Sequence, residues 1–327
     1  MTSSLPLLLT ASLLGGVVSA PLLGATTAAY GPPAPAGSAD RGVAAGAPGD
    51  VVEHAARRAD PGYWTPERMA RALPVDLLDG AVGALLPRSA EPQRAAAAPS
   101  AVGGSRWLGD GQVARTTGRV FLTMDRTDFV CSASTVRSAN RDLVVTAGHC
   151  VKNGTGSWAD NWLFVPGYSS GRGPYGSFTA RRMFVAAPWS KRGDDSFDVA
   201  MVALNTSDGR HVADVVGAQQ IAFNPVRGGQ TYGFGFPADP PYGGDHLVYC
   251  SGQVRPDPHR QTTDQGLRCD MTAGSSGGPW LSAFDPATGA GTITSVSSFK
   301  YSDDLGTMYG PYFGEEIREL YGRAQHS

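Results

Sequence analysis

The chain has 327 residues, enough for one large domain or for two of ordinary size. Charged side chains make up only 17% of it and the net charge is −2, so nothing favours electrostatic capture of nucleic acid or of an anionic membrane. The 43 glycines and 24 prolines favour a turn-rich chain of short strands and argue against a helical bundle.

The first predicted element is an apolar leader. Residues 5–29 carry no charge, and apolar runs are followed by small residues, as a signal-peptidase site requires. No Lys or Arg precedes the run, because the first arginine is Arg41, and the run is nearly long enough to span a bilayer. We predict a signal peptide at residues 1–29 and a secreted, extracellular protein. Contact with a membrane is expected only if this leader is not cleaved.

Residues 30–110 are predicted to be a pro-segment or a linker. Most of this stretch is rich in Ala, Pro and Gly and cannot bury enough apolar surface to offset the entropy of ordering it. Residues 64–74 are an exception and predict a short helix, with Thr65 as N-cap, Pro66 at the first position and Pro74 as the stop. The apolar residues that would form its docking face are Met69, Leu73 and Val75. A removable pro-segment and a plain linker both fit this pattern.

From about residue 111 the pattern predicts an all-β domain. Short apolar runs are separated by turns rich in Gly, Asn, Asp and Pro, which indicates an antiparallel sandwich or barrel system. No βαβ alternation and no phosphate-binding GxxxxGK[ST] motif interrupts it. The predicted strands are 119–123, 129–136, 143–147, 162–165, 182–185, 199–204, 230–236, 247–254 and 292–299. Residues 312–323 predict a closing helix with Ile317, Leu320 and Tyr321 on one face.

The four cysteines agree with export to an oxidising compartment. They fall into two local pairs, Cys131 with Cys150 and Cys250 with Cys269, each separated by 19 positions. Four cysteines allow three connectivities, so the pairing stays open. No CxxC motif or His/Cys cluster predicts a zinc site, and we expect neither a metal nor an organic cofactor.

Two short motifs could supply a general base and its orienting acid. Thr146-Ala147-Gly148-His149-Cys150 follows an apolar strand, and a histidine fixed at a strand end beside a cysteine suits the role of base. Asp198 stands immediately before another apolar strand, where a carboxylate can turn inward and accept the imidazole Nδ1–H. Asp194 and Asp195 are nearby alternatives, but they lie in a polar turn. A structural histidine and a solvated aspartate are the plain alternatives.

The strongest motif is Ala273-Gly274-Ser275-Ser276-Gly277-Gly278-Pro279. A nucleophilic serine needs a tight turn that exposes its Oγ, and backbone N–H groups aimed at the developing oxyanion. Ser276 is the predicted nucleophile, and the N–H groups of Gly274 and Ser276 are the predicted oxyanion donors. The stretch also satisfies GxSxG, the nucleophile elbow of α/β-hydrolases. That fold needs its histidine after the serine, and here only His326 follows, so this interpretation fails.

The order His149, Asp198, Ser276 with these flanks resembles the chymotrypsin-like (trypsin-like) serine peptidases over residues 111–325. Within them, the stretches 269–280 and 308–313 are similar to a bacterial secreted branch near the V8-type glutamyl endopeptidases. The resemblance implies two antiparallel six-stranded β-barrels, an active site in the cleft between them and a C-terminal helix. It makes residues 111–327 a serine peptidase domain.

The resemblance leaves substrate specificity open. Asp270 matches the position that gives trypsin-like members their preference for Arg and Lys, although several bacterial relatives keep an aspartate there without that preference. Glutamyl-specific members have a histidine on the strand that corresponds to residues 295–300 of this chain, where no histidine is present. Lys300 on this strand either lines the pocket and favours an acidic side chain of the substrate, or is solvated. The residues that the resemblance places around the specificity pocket are Asp270, Met271, Ser298 and Lys300. Ser275 replaces the aspartate that pairs with the new N-terminus in animal members, so that activation switch is absent.

The sequence therefore predicts a secreted serine endopeptidase that cleaves polypeptide substrates through an acyl-enzyme, with its own pro-segment as a partner. Two alternatives remain. The same triad hydrolyses esters, and a protease fold can also serve as a catalytically silent binding protein at the cell surface.

Overall fold

The computed structural model describes residues 50–57, 62–75 and 103–327, and these residues form mainly β-structure. The predicted signal peptide at residues 1–29 lies outside them. The strands are β1 (Val51–Ala55), β2 (Leu73–Pro74), β3 (Ser105–Arg106), β4 (Thr117–Met124), β5 (Thr127–Thr135), β6 (Leu143–Thr146), β7 (Asp160–Pro166), β8 (Phe178–Ala186), β9 (Ala200–Leu204), β10 (Gln220–Ile221), β11 (Gly229–Gly235), β12 (Val248–Pro256), β13 (Gln265–Arg268), β14 (Pro279–Asp285), β15 (Ala290–Val296), β16 (Phe299–Tyr301) and β17 (Asp304–Gly310). The helices are α1 (Pro66–Arg71), α2 (Gln112–Thr116), α3 (Ala187–Arg192), α4 (Val212–Val216) and α5 (Glu315–Ala324). In this described part, no helix has both the length and the apolar character needed to cross a membrane.

Six antiparallel strands close into an N-terminal barrel. Their order is β8-β7-β4-β5-β6-β9, and β9 pairs back with β8. Every residue of β4 is buried. Since successive side chains point to opposite faces of a strand, both faces of β4 are covered. Val120 and Leu122 pack in one core cluster, whereas Phe121 packs in a second cluster with residues of the C-terminal sheet.

The C-terminal sheet runs in the order β10-β15-β14-β11-β12-β13-β17-β16, with β3 added beside β12. Only Ser297 and Ser298 separate β15 from β16, so two consecutive segments of the chain lie towards opposite ends of this sheet order. This short turn therefore brings the two ends of the sheet order close together. The all-β fold predicted from the sequence is confirmed: the N-terminal half forms a closed six-stranded antiparallel barrel, the C-terminal half forms a second sheet, and a helix follows at the C-terminus.

Both disulfides join residues that are close in the sequence. Cys131 in β5 is bonded to Cys150, in the 3-10 turn that follows β6, and Cys250 in β12 is bonded to Cys269, directly after β13. Of the three connectivities that the sequence allows, the structure therefore has the local one.

All nine predicted strands are present, with shifted ends, and the closing helix begins at Glu315 rather than at residue 312. The helix α1 begins at Pro66 as predicted, with the Thr65 Oγ1 accepting the Arg68 N–H at 3.2 Å. It ends at Arg71, before the predicted stop at Pro74, because Leu73–Pro74 leaves the helix to pair with β5. Leu73 is 47% exposed, so its predicted place on the docking face is wrong, whereas Met69 packs against the core.

Candidate active site

His149 is held at the end of β6 by two contacts with one carboxylate. Its backbone N–H donates to Asp198 Oδ1 at 2.7 Å, and its Nδ1 lies 2.8 Å from Asp198 Oδ2. An ionised carboxylate only accepts hydrogen bonds, so Nδ1 carries the proton and Nε2 faces away from Asp198 as the basic nitrogen. Gly148 is required here, because a Cβ would lie 2.8 Å from Asp198 Oδ1 and 2.9 Å from the Trp189 ring.

Asp198 is buried at the entry to β9, with 1% of its surface exposed. Burial alone raises the pKa of a carboxyl group. In Asp198 the charge of His149 and the hydrogen bonds from His149 and Ser298 outweigh burial, so its pKa lies below the usual value. The group is therefore an anion at neutral pH and can stabilise an imidazolium on His149.

Ser298, which the sequence predicted as a residue of the specificity pocket, contacts Asp198. It lies between β15 and β16 and is 3% exposed, and its Oγ donates to Asp198 Oδ2 at 2.5 Å. Asp198 thus accepts hydrogen bonds from three donors on two separate parts of the chain. This contact joins residues 100 positions apart, and no local motif around Ser298 signals it.

The turn that carries Ser276 packs directly against the strand end that carries His149. The Ser276 carbonyl accepts the Ser132 N–H at 2.8 Å and lies 3.7 Å from Cys150 Sγ. At Gly277, where φ is +78°, a Cβ would collide with Thr146 and lie 2.7 Å from the Ala147 nitrogen. Only glycine allows this approach, which brings the Ser276 turn beside the segment 146–150.

The two predicted oxyanion donors lie in peptide units that are fixed through their carbonyl groups. The N–H of Gly274 shares a peptide with the Ala273 carbonyl, which accepts the Ala238 N–H at 2.7 Å. The N–H of Ser276 shares a peptide with the Ser275 carbonyl, which accepts the Gly278 N–H at 2.9 Å. Because a trans peptide is planar, fixing the carbonyl also fixes the direction of the N–H. These donors are thus oriented before any substrate binds.

Asp270 contacts the chain's own N-terminal segment. Its Oδ1 accepts the Gly104 N–H at 2.6 Å and the Tyr242 hydroxyl at 2.5 Å. Burial, followed by the hydrogen bond and charge of Asp270, raises the pKa of Tyr242 to about 12, so this phenol stays protonated. Gly104 has no room for a side chain, since a Cβ would lie 2.6 Å from the Tyr242 hydroxyl. The Asp270 carboxylate is therefore engaged within the fold.

The other two predicted pocket residues differ in exposure. Met271 is completely buried in a core cluster of the C-terminal sheet, with Leu267 and Trp280. Lys300 is half-buried, and its Nζ donates to the Cys269 carbonyl at 2.8 Å and to the Leu305 carbonyl at 2.7 Å. The ammonium is thus tied to backbone oxygens next to Asp270, whereas Met271 contributes packing.

One group of His and Cys atoms in the described residues lies close enough together to suggest a metal site: Cys131, His149 and Cys150. The two sulfur atoms are bonded to each other. Neither can act as a thiolate ligand, and only the imidazole is left to bind an ion.

Comparison with known proteins shows the family. A family model described as the trypsin-like peptidase domain matches residues 129–285, a range that contains His149, Asp198 and Ser276. The chain is 40% identical to the protease Anisep from Arthrobacter nicotinovorans, over 65% of this chain and 96% of that one, with a TM-score of 0.63. It is 38% identical to a thermostable serine protease from an extremophilic microorganism, over 65% of this chain and 98% of that one, with a TM-score of 0.62. The chain belongs to the trypsin-like serine peptidases.

Two further relatives are more distant. A glutamyl endopeptidase structure shares 20% identity over 69% of this chain and 97% of its own, with a TM-score of 0.55, which supports the fold alone. A protein of Bacillus subtilis (strain 168) named extracellular metalloprotease is 31% identical over 104 residues. That match spans 32% of this chain and 33% of the relative, so the chain covers only about a third of that protein's length.

Proposed function

We propose that the protein is a secreted serine endopeptidase that hydrolyses peptide bonds through an acyl-enzyme. Its nucleophile is Ser276, its general base is His149 and its orienting acid is Asp198. The N-terminal part of the chain is an export signal at residues 1–29 followed by a pro-segment that ends before residue 111. The family to which the chain belongs and the fixed contacts of these three residues support the proposal.

The contacts suit each step of acyl transfer. Ser276 Oγ attacks the peptide carbonyl while His149 Nε2 takes the hydroxyl proton, and the Gly274 and Ser276 N–H groups stabilise the oxyanion. His149 then gives that proton to the leaving amine, which departs as the acyl-enzyme forms. Water deacylates the enzyme by the same route, with His149 again as base. Asp198 stays ionised throughout and fixes the tautomer of His149.

The observation that carries the proposal is the paired contact between His149 and Asp198. Both carboxylate oxygens contact the same residue, one at its backbone N–H and one at its ring. A histidine that served only the fold would need neither a buried anion on Nδ1 nor a serine turn packed against its strand end. The Ser298 hydroxyl gives the anion a further donor.

A fluorophosphonate probe tests this function, because it bonds only to a serine whose Oγ has been activated. We expect the secreted wild-type protein to be labelled and Ser276→Ala to lose at least 99% of the label. The variant Asp198→Asn should also lose most of the labelling rate, by about 10⁴-fold, since it allows the wrong tautomer of His149.

The matched control is the neighbouring serine. The Ser275 Oγ donates to the Thr272 carbonyl at 2.7 Å, so Ser275→Ala removes a turn contact and keeps the nucleophile. It should still be labelled. If the folded wild-type protein takes up no probe, the triad mechanism is wrong and the silent binding protein replaces it. A panel of peptide and ester substrates then separates an endopeptidase from an esterase.

A further inference from the structure

Residues 50–57 and 62–75 pack on the N-terminal barrel as part of its structure. We propose that this segment, here named the donated segment, stays bound to the barrel after the chain is cut between residues 76 and 102. The active enzyme would then be a non-covalent complex of two pieces of one chain, in which the segment completes the barrel and does not inhibit the cleft. This inference rests on the proposed function only in assuming that the pro-segment is cut.

The first observation is an edge of β8 that, among the described residues, pairs with the donated segment alone. The strand β7 pairs with β8 at Phe178 and Thr179 alone. Beyond that point β1 takes over, antiparallel to β8 and in unbroken register from Arg182 to Ala186. Two flanking backbone bonds extend the pairing, from the Ala56 N–H to the Arg181 carbonyl and from the Ala187 N–H to the Asp50 carbonyl.

Loss of the segment would leave that edge open. The opposite edge of β8 pairs with β9, so the strand would keep one row of ladder bonds and lose the other. Met183, Phe184 and Val185 of β8 are completely buried. An open edge on an apolar strand is a template for aggregation, and natural proteins cover such edges. The donated strand is that cover.

The second observation is a half-buried anchor at Asp128, in the β4–β5 hairpin. The Tyr63 hydroxyl donates to Asp128 Oδ1 at 2.7 Å, and Arg68 Nε donates to Oδ2 at 2.6 Å. Burial tends to raise the pKa of Asp128, but the hydrogen bonds from Arg68, Tyr63 and Thr123 outweigh it and lower the pKa. Of these donors only Thr123 belongs to the barrel, so release of the segment would leave a half-buried carboxylate with one partner.

The third observation is the contact that Trp64, which lies between Tyr63 and Arg68 in the sequence, makes with the barrel. The Trp64 indole N–H donates to the Asn161 carbonyl at 2.6 Å, and its ring lies 5.4 Å from the ring of Phe121. Further along, β2 pairs in parallel with β5 at Phe129 and Val130. Aromatic burial of this kind dominates stable interfaces. The segment therefore has a strand, an ionic anchor and an aromatic contact, spread over residues 50–75.

These contacts lie on the N-terminal barrel and on α5. The segment's strands pair with β8 and β5, its anchor lies at the β4–β5 hairpin, and Glu53 faces Arg323 of α5 at 3.6 Å. A segment that blocked the cleft would instead contact the Ser276 turn and β16 of the C-terminal sheet. The position of the segment therefore suits permanent support of the barrel.

Retention can be measured on the full chain. A recognition sequence for a specific viral protease is inserted between residues 80 and 90 of the Ser276→Ala protein, which cannot cut itself. After cleavage, size-exclusion chromatography and intact mass spectrometry follow the two pieces. We expect the piece that contains residues 50–75 to co-elute with the body and to separate only in denaturant. Its release from a body that keeps its native circular dichroism would overturn the proposal.

A matched pair of variants tests the anchor. Asp128→Ala removes the acceptor of Tyr63 and Arg68, and we expect the dissociation constant of the segment to rise at least tenfold. Asp125→Ala is the control, because Asp125 lies in the same hairpin and accepts the hydroxyl of Ser157, a barrel residue, at 2.8 Å. It should retain the segment like the parent. Equal retention in both variants would contradict the anchor.

Labelling of the cut Ser276 protein separates this proposal from the proposed function. We expect the fluorophosphonate label to be the same before and after the cut, and not to rise when mild urea strips the segment. A several-fold rise on stripping would identify an inhibitor and overturn the proposal. Absence of label in every form would refute the proposed function, while retention in the Ser276→Ala protein would still stand.

Discussion

At the scale of single residues, Asp264 is the least satisfied group near the candidate site. It precedes β13 and is 1% exposed, and within the described residues neither of its carboxyl oxygens has a hydrogen-bond partner. Burial, followed by the charge of Asp198 and of other nearby aspartates, raises the pKa of Asp264 to about 9. The other aspartates that contribute are Asp195, Asp257 and Asp194. Asp264 is therefore a neutral acid at pH 7.

Asp264→Asn should stabilise the protein at neutral and alkaline pH. The unfolded acid ionises above its ordinary pKa of 3.8, whereas the folded acid keeps its proton up to about 9, so the unfolding free energy falls as the pH rises across this window. Asparagine has the same shape and does not titrate. Because each pKa unit corresponds to about 1.4 kcal/mol, we expect a gain of at least about 1 kcal/mol at pH 8 that disappears towards pH 4. Urea unfolding at both pH values measures it.

Asp257 provides the control, because its substitution should change the stability in the opposite direction. Asp257 accepts hydrogen bonds from the Tyr301 hydroxyl and from the backbone of its own loop, and these outweigh burial and lower its pKa. Asp257→Asn should therefore lose stability at pH 8. A gain at Asp264 that did not change between pH 4 and pH 8 would show that its charge is not the cause.

The sequence predicted the residues of this site that stand in local motifs. It did not predict the contacts between residues that are far apart in the sequence. His149, Asp198 and Ser276 stand in short motifs. The residues beside them form a strand end or a tight turn, and a local sequence pattern can predict such features. The contact of Ser298 with Asp198 and that of Tyr242 with Asp270 join residues 100 and 28 positions apart. The fold brings both pairs together from segments that are separated in the sequence, so no spacing rule predicts them. The catalytic roles themselves stay predictions until the probe experiment.

At the scale of elements, the turn after Ser276 depends on one glycine. We expect Gly277→Ala to abolish fluorophosphonate labelling, at least 100-fold, because the new methyl group would push the turn away from Thr146 and Ala147. It should also lower the unfolding free energy, by more than the roughly 1–2 kcal/mol that left-handed backbone alone costs alanine. Labelling rate and thermal unfolding measure the two effects.

Gly171 supplies the control for that substitution. Its φ is also +78°, and a Cβ there would meet no atom within 4 Å. Gly171→Ala therefore carries the same backbone cost without the collision, and its labelling should match the wild type. If both variants lost labelling equally, backbone strain and not the close approach would explain the effect.

For the strands, too, the sequence predicted those with a clear local pattern and missed those without one. The nine predicted strands are those with continuous or alternating apolar runs, and all of them form. The strands β13 and β17 contain Gly266 and Gly306 in short stretches without alternation, so their pairing is set by the sheet and not by their own pattern. The strand β1 alternates in burial over its last four positions, but it lies within a stretch whose Ala-rich and Pro-rich composition predicts a pro-segment or a linker. Local composition therefore concealed an element that the edge of β8 stabilises.

At the scale of the whole molecule, one hydroxyl joins the two sheets next to the site. Ser132 lies in β5 of the N-terminal barrel and is completely buried. Its Oγ donates to the Gly274 carbonyl at 2.9 Å and accepts the N–H of Phe236, just after β11, also at 2.9 Å. A single side chain thus fixes the turn that carries Ser276 and the end of a C-terminal strand to the barrel that carries His149.

Ser132→Ala should therefore weaken both the fold and the site. It leaves a buried carbonyl and a buried N–H without their partner, which costs about 1–3 kcal/mol of unfolding free energy for each group left unsatisfied. The Gly274 carbonyl belongs to the peptide that joins the two donor-bearing peptides of this turn. Because that middle peptide is no longer held, we also expect kcat to fall about tenfold or more with little change in KM, since donor direction matters most in the transition state. Ser134→Ala is the control: Ser134 is equally buried on the same strand, and its Oγ makes a long 3.4 Å contact with the Thr135 carbonyl. A Ser132 variant that lost stability but kept kcat would mean that the hydroxyl joins the sheets without aligning the oxyanion donors.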